Sequence, residues 1–284
     1  MVKLVALKFI PTLAPTEVEK AFAGSFTGLT SFPGCAGGQG IVFKATANTG
    51  SQQPVITVAL KIYYPGSLVE RTRREVQALS RLKCETLVKL CGAGHITLRG
   101  QKCMYVATEF VDGEVLLNRL TRGPLPLGQT ARIGRDVALA IHTLWQERVV
   151  HRDIKPQNIM LTKGGGAVLI DLGVARHLAL GPLTTLGKTW GTEGYMSPEQ
   201  ANALRQLSCK SDVFALGIVL LESLVGAHPT GYSQLALSGG GPLTSGFGLA
   251  LPPDFVSRLD SMLVLTPHGR PNPDQIATSF SNHC

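Results

Sequence analysis

The stretch VVHRDIKPQNIML, residues 149–161, decides how this sequence is interpreted. It gathers Asp153, Lys155 and Asn158 into one short segment, which its neighbours predict to be a loop between a helix and a strand. A carboxylate can accept a proton from an attacking hydroxyl, an ammonium can neutralise a transferring phosphoryl group, and an amide carbonyl can bind a hard cation. The combination predicts phosphoryl transfer, which needs mainly positioning and charge stabilisation.

A second carboxylate follows a short distance along the chain. The stretch AVLIDLGVA, residues 167–175, places Asp171 at the end of an apolar strand. A carboxylate at that point could bind the metal ion that bridges the phosphates of a nucleotide.

The glycine-rich stretch GCAGGQGIVFKA, residues 34–45, could let a chain of phosphates approach the backbone closely. A dinucleotide-binding fingerprint needs a helix directly after its glycines. Here the alternating apolar run of residues 40–47 predicts a strand instead. The sequence therefore disfavours a dinucleotide-binding fold.

The predicted secondary structure changes along the chain. Thr16 and Glu19 resemble a capping box that opens a short helix before Gly24. Alternating runs then predict a small antiparallel sheet with one amphipathic helix, and residues after 111 look mainly helical. The predicted strands are 26–32, 40–47, 55–64, 94–100 and 102–110, and the clearest helices are 67–83, 131–149 and 211–226. The glycine-rich residues 231–248 are predicted to form a surface loop.

Composition limits the class of protein. The formal charge of +8 favours acidic partners or polyanionic ligands. The six cysteines show no C-x-x-C pair and no zinc-like spacing, so we expect reduced thiols in a cytoplasmic protein. The N-terminal stretch MVKLVALKFIPTLA is broken by Lys8 and Pro11, and no stretch is apolar enough to predict a membrane segment. No nucleic-acid partner is expected.

Six motifs in order over roughly residues 25–280 resemble those of a eukaryotic-type protein kinase domain, and the SPEQ variant at 197–200 resembles bacterial serine/threonine members of that family. The motifs are VALK (58–61), HRDIKPQN (151–158), DLG (171–173), GTEGYMSPEQ (191–200), SDVFALG (211–217) and PHGRPNPDQI (267–276). The resemblance implies an α+β bilobal fold, with an N-terminal extension (1–24), a small sheet lobe (25–111) and a larger helical lobe (112–284). It also implies ATP and Mg²⁺ as cofactors.

The resemblance assigns catalytic roles. Asp153 would be the base and Lys155 the partner of the γ-phosphate, while Asn158 and Asp171 would bind magnesium. Lys61 would hold the α- and β-phosphates, oriented by an ion pair with Glu75. Asp212 would support the catalytic loop, and Glu199 would pair with Arg270.

The resemblance also assigns the nucleotide contacts. Cys35 stands where the family has its first loop glycine, which limits that turn more than glycine would. Thr108 falls at the gatekeeper position. The other expected contacts are Gly37, Gly38 and Gly40 in the loop, Val42, Ala59 and Met160 around adenine, and Glu109 with Val111 at the hinge.

Two details imply serine/threonine specificity, namely Lys155 within HRDIKP and Thr192 within GTEGY, which would contact Asp153. Arg152 before the base marks kinases that are often regulated by loop phosphorylation, so we expect autophosphorylation at Thr184, Thr185 or Thr189. A homodimer could promote that activation. Two alternatives remain: a pseudokinase scaffold without turnover, and a small-molecule phosphotransferase, which would carry HGD in place of HRD and lack residues 191–200.

Overall fold

The computed structural model describes residues 13–31, 40–48, 55–65, 82–171, 176–177, 191–203, 207–240 and 243–284. The chain divides into two compact units. The first comprises Met1–Arg81 with Lys89–Phe110, and the second comprises Leu82–Val88 with Val111–Cys284. None of the described helices is long and apolar enough to cross a bilayer.

The first unit is built on a five-stranded antiparallel sheet with strand order β1-β2-β3-β5-β4. Its strands are β1 (Phe26–Thr30), β2 (Gly40–Ala47), β3 (Ile56–Tyr63), β4 (Leu90–Leu98) and β5 (Gln101–Glu109). The predicted antiparallel sheet is confirmed, and β4 begins four residues earlier than its alternation indicated. The strands bury one face, where Phe43, Leu60 and Ile62 have no exposed surface.

Helix α1 (Pro15–Ala21) covers that apolar face through Val18 and the following Phe22. The predicted capping box is wrong, because the helix begins at Pro15 and its N-cap, Ala14, has no side-chain hydrogen bond. Proline at the first helical position already has a helical φ and lacks the N–H that would need a cap. Glu19 instead accepts a hydrogen bond from the backbone N–H of Leu29 at 3.2 Å, which ties the helix to β1.

The helix predicted over residues 67–83 lies almost wholly outside the described residues. Its last two residues, Leu82 and Lys83, are described, and they are not helical.

The second unit is mainly helical. Its helices are α2 (Leu116–Leu120), α3 (Leu127–Gln146), α4 (Pro198–Ala201), α5 (Cys209–Val225), α6 (Gln234–Gly239), α7 (Pro253–Met262) and α8 (Pro273–Ser281). Short strands β6 (Gly113–Val115), β8 (Ile159–Thr162) and β9 (Ala167–Leu169) form one sheet, and β7 (Val149–Val150) pairs with β10 (Arg176–His177). These short strands flank the segment that carries the candidate catalytic residues.

Helix α5 lies at the centre of this unit and is buried along most of its length. The Ser208 side chain caps its start by accepting the N–H of Lys210, and Gly226 ends it in the left-handed conformation at φ 81°. A helix that is apolar on all sides needs partners on all sides. Helices α3 and α7 are among those partners, and α8 packs on α3.

The prediction of a plain surface loop over residues 231–248 is wrong. The segment contains α6 and a 3₁₀ turn, Thr244–Phe247. Ser233 caps α6 by accepting the N–H of Ala236 at 3.2 Å, and Leu237 is completely buried. Glycine content indicated a loop, but one serine cap and one buried leucine suffice for a short helix once the rest of the unit provides a surface.

Candidate active site

The segment of residues 151–158 connects β7 to β8, and side chains from other elements hold it in place through hydrogen bonds to its backbone. Asp212, in the first turn of α5, accepts the backbone N–H groups of His151 and Arg152, each at 2.8 Å. Burial raises the pKa of the Asp212 carboxyl, while His151 and the two backbone donors oppose that effect. On the other side, Gln200 Nε2 donates to the carbonyl of Arg152 at 2.7 Å. Arg152 has φ 70°, an uncommon backbone conformation for a side chain of this size.

Asp153 is the centre of a network that unites four of the predicted residues. Thr192 Oγ1 donates to Asp153 Oδ1 at 2.6 Å, and Lys155 Nζ lies 2.8 Å from Asp153 Oδ2. Lys155 Nζ also donates to Thr192 Oγ1 at 2.6 Å. Asn158 Nδ2 donates to the Asp153 carbonyl at 2.7 Å and to Oδ2 at 3.1 Å. A carboxylate, an ammonium and a hydroxyl therefore lie within hydrogen-bonding distance of one another.

Asn158 and Asp171 offer oxygen atoms that suit a hard cation. Because the Asn158 Nδ2 group donates to Asp153, the side-chain Oδ1 is the oxygen left to bind a metal ion. The backbone N–H of Ile170 donates to the Asn158 carbonyl at 2.8 Å, so the next residue, Asp171, is close to Asn158. Asp171 has φ 59°, a conformation that aspartate tolerates better than most residues. One carboxylate and one amide oxygen, completed by phosphate oxygens and water, are a typical magnesium ligand set.

The first unit places five of the predicted nucleotide contacts on one face of the sheet. Val42 lies opposite Lys61, Ala59 opposite Thr108, and Gly40 opposite Tyr63. Residues directly opposite share a face, and so do residues two apart along a strand. Gly40, Val42, Ala59, Lys61 and Thr108 therefore share the face opposite to the apolar core. A Cβ atom at Gly40 would clash with the carbonyl of Ile62, so this position requires glycine.

Three further predicted nucleotide contacts are Glu109, Val111 and Met160. Glu109 ends β5 and exchanges two hydrogen bonds with Lys89, through its N–H at 2.9 Å and its Oε1 at 3.2 Å. Val111 begins the long part of the second unit. Met160 lies in β8 opposite Val115 of β6.

Seven predicted site residues lie outside the described residues. They are Cys35, Gly37 and Gly38 of the glycine loop, Glu75, and the candidate phosphorylation sites Thr184, Thr185 and Thr189.

The predicted pair between Glu199 and Arg270 is present, with guanidinium-to-carboxylate distances of 2.6 and 2.9 Å. Sequence reasoning missed several side chains that hold Arg152 or residues 191–196. These are Gln200, whose bond to Arg152 is described above, and Tyr195, His228 and Gln234. Tyr195 and Gln200 both lie inside the motif GTEGYMSPEQ (191–200), and Tyr195 donates to Glu222 at 2.7 Å. No sequence pattern singled out His228 or Gln234.

Comparisons with known proteins agree with this geometry. Residues 35–279 match the family model described as the protein kinase domain. The serine/threonine-protein kinase PknB of Mycobacterium leprae is 35% identical over 161 residues, which are 56% of this chain and 26% of that protein. Serine/threonine-protein kinase PrkC of Bacillus subtilis is 35% identical over 162 residues, 57% of this chain and 24% of that protein. Serine/threonine-protein kinase AfsK of Streptomyces coelicolor is 29% identical over 259 residues, 87% of this chain and 31% of that protein. The chain thus matches less than a third of the length of each of these relatives.

Proposed function

Because the chain belongs to the protein kinase domain family, we propose that it transfers the γ-phosphoryl group of ATP to serine and threonine hydroxyls of a protein substrate. The observation that carries this proposal is the network in which Asp153 contacts Lys155, Asn158 and Thr192. The relatives named above are serine/threonine kinases, which supports the choice of substrate hydroxyl.

Each group in the network has one chemical task in this reaction. Asp153 accepts the proton of the attacking hydroxyl, and Asn158 and Thr192 keep its carboxylate oriented through their hydrogen bonds. Lys155 neutralises charge on the transferring phosphoryl group without accepting a proton itself. Lys61 would hold the α- and β-phosphates from its position on β3. Mg²⁺, when bound, neutralises charge on the phosphate oxygens, and the residues that would hold it are Asn158 and Asp171.

The proposal is tested by transfer of label from γ-labelled ATP, with Mg²⁺, to a generic basic protein, followed by identification of the labelled amino acid. In the wild type, the label should appear on serine and threonine. The variants Asp153→Asn and Lys61→Met should each lose most of this labelling. Lys163 and Asp112 form an exposed ion pair, so Lys163→Met and Asp112→Asn are matched controls that should leave transfer intact. Label that persists in Asp153→Asn would contradict the role of the base. Absence of transfer in the wild type, with ATP still raising the melting temperature, would favour the pseudokinase alternative.

Three further parts of the proposal extend beyond the described residues or beyond this chain. We propose autophosphorylation at Thr184, Thr185 or Thr189, which mass spectrometry of active protein would locate. We propose a reducing, cytoplasmic setting, in keeping with the free thiols of the five described cysteines. Activation through a homodimer stays a prediction that sedimentation of the active protein would test.

A further inference from the structure

The backbone of residues 191–196, here called the acceptor loop, is next to the candidate base because its Thr192 donates to Asp153. A substrate hydroxyl that reaches Asp153 therefore comes close to Thr192 of this loop. Residues 228–234, here called the supporting turn, contact the acceptor loop within the second unit. Neither the catalytic network nor the predicted nucleotide contacts include a residue of the supporting turn.

Gln234 binds the acceptor loop with both ends of its side-chain amide. Its Oε1 accepts the N–H of Gly194 at 3.2 Å, and its Nε2 donates to the carbonyl of Met196 at 2.8 Å. This pairing serves the backbone of residues 194–196 as a neighbouring strand would, because it satisfies one donor and one acceptor two residues apart.

His228 forms the second connection, and its hydrogen bonds fix its tautomer. Its Nδ1 accepts the N–H groups of Tyr232 at 2.9 Å and Thr230 at 3.3 Å. A ring nitrogen that accepts carries no proton, so the proton is on Nε2, which donates to the carbonyl of Gly194 at 3.0 Å. His228 is 9% exposed, and its ring is packed against Tyr232 at 4.2 Å and Tyr195 at 5.0 Å between ring centroids.

Gly194 is the point where the two segments come closest. It has φ 88°, and a Cβ atom there would lie 2.9 Å from the Cα of Tyr232 and 3.2 Å from His228 Nε2. The acceptor loop is thus in direct contact with the supporting turn through backbone atoms as well as side chains.

We propose that Gln234 and His228 are positioning residues that set the geometry of the acceptor loop and thereby the KM for the protein substrate. The proposal rests on the proposed kinase function. Gln234 and His228 bond to backbone atoms of residues 194 and 196 and to none of the groups assigned to ATP. Their loss should therefore affect the protein substrate and leave the KM for ATP unchanged.

The first test replaces Gln234. Gln234→Met keeps the length of the side chain and removes both hydrogen bonds, and Gln234→Glu keeps the acceptor for Gly194 while losing the donor to Met196. We expect the KM for a serine-containing peptide to rise about tenfold in the methionine variant, the effect of one or two lost hydrogen bonds. The peptide KM of the glutamate variant should lie between those of the wild type and the methionine variant. Gln275→Met is the matched control, because Gln275 also accepts a backbone N–H, at 2.9 Å from Asn272, but in the cap of α8.

The second test separates two roles of His228. The Oδ1 atom of asparagine can replace Nδ1 as the acceptor inside the turn, whereas the Nε2 atom of glutamine can replace the ring Nε2 as the donor to Gly194. The proposal predicts that His228→Gln keeps the peptide KM near the wild-type value and that His228→Asn raises it. The reverse order would show that His228 only builds the turn, and would overturn its assignment as a positioning residue.

A third measurement does not depend on activity. Hydrogen exchange at the Gly194 amide should accelerate about tenfold in Gln234→Met and stay unchanged in Gln275→Met, since only the first loses the acceptor of that N–H. If the wild type transfers no phosphoryl group, the proposed function fails while the exchange result still decides the positioning role. Unchanged exchange in Gln234→Met, or equal rises in KM for peptide and ATP, would overturn this inference alone.

Discussion

The buried ion pair between Arg270 and Glu199 tests how the second unit is stabilised. The Arg270 side chain is completely buried, and the Glu199 carboxylate that it binds is 5% exposed. The remaining guanidinium N–H groups donate to the backbone carbonyls of Val264, Lys210 and Leu265 at 2.7, 2.9 and 2.8 Å. Arginine has five N–H donors, and these five bonds use all of them. Replacing Arg270 with glutamine leaves a buried carboxylate without its cation and several carbonyls without donors.

The size of the effect follows from this geometry. Removing one partner of a buried ion pair costs about 3–5 kcal/mol of the free energy of unfolding. A change of 1 kcal/mol lowers the melting temperature of a domain of this size by about 2–4 °C. Arg270→Gln should therefore melt roughly 6–20 °C below the wild type in scanning calorimetry.

The matched control is Arg122→Gln, because Arg122 binds Glu114 through a bidentate pair that is largely exposed, with side chains 58% and 36% accessible. Solvent screens that pair, so the melting temperature of Arg122→Gln should fall by no more than about 4 °C. Equal losses in the two variants would refute the reasoning that burial, and not ion pairing as such, determines the cost.

The same pair predicts a pH dependence. Burial alone would raise the pKa of Glu199, but the hydrogen bonds and charge of Arg270, with a hydrogen bond from Ser211, hold that pKa below the usual 4.5. The stabilisation is therefore complete above about pH 4.5 and is lost as the pH falls through the lower pKa of the folded state. The difference in unfolding free energy between wild type and Arg270→Gln should narrow below that pH.

Three more predictions concern single contacts. Thr192→Val should lower kcat at least about tenfold, and Thr192→Ser should keep most of the wild-type kcat, because only the hydroxyl reaches Asp153. Steady-state kinetics would contradict this if Thr192→Ser lost as much kcat as Thr192→Val. Asp212→Asn should lower both kcat and the melting temperature, since one of the two N–H groups it accepts would then face an amide donor; unchanged kinetics would contradict its role in holding the loop. Gly134→Ala should destabilise by about 1–3 kcal/mol in denaturant unfolding, because the added methyl group would overlap the Phe280 ring, and a neutral result would mean that α8 can shift.

Sequence reasoning succeeded where the relevant information is local. Alternation predicted the strands β2 and β3, and their register brings Val42, Ala59 and Lys61 to the face opposite to the core. The spacing of Asp153 and Asn158 within one short segment predicted their association, which the hydrogen bonds between them show.

Sequence reasoning failed where a contact depends on the tertiary arrangement. Thr192 is distant from Asp153 along the chain, and only the family resemblance linked the two. His228 and Gln234 bond to backbone atoms, which every residue has, so no pattern of side chains could indicate their partners. Thr16 fitted the capping pattern, but the helix begins at Pro15, two residues earlier than a cap at Thr16 would place its start.

The most direct measurement of the central claim is single-turnover transfer from ATP by Asp153→Asn, with ATP binding measured in parallel by calorimetry. A positioned base contributes about 10²- to 10⁴-fold, so the rate of transfer should fall by that factor. The dissociation constant for ATP should change little, because the proposed mechanism places Asp153 against the acceptor hydroxyl and not against the nucleotide. A transfer rate within about threefold of the wild type would contradict the assignment of Asp153 as the base and, with it, the account of the active site.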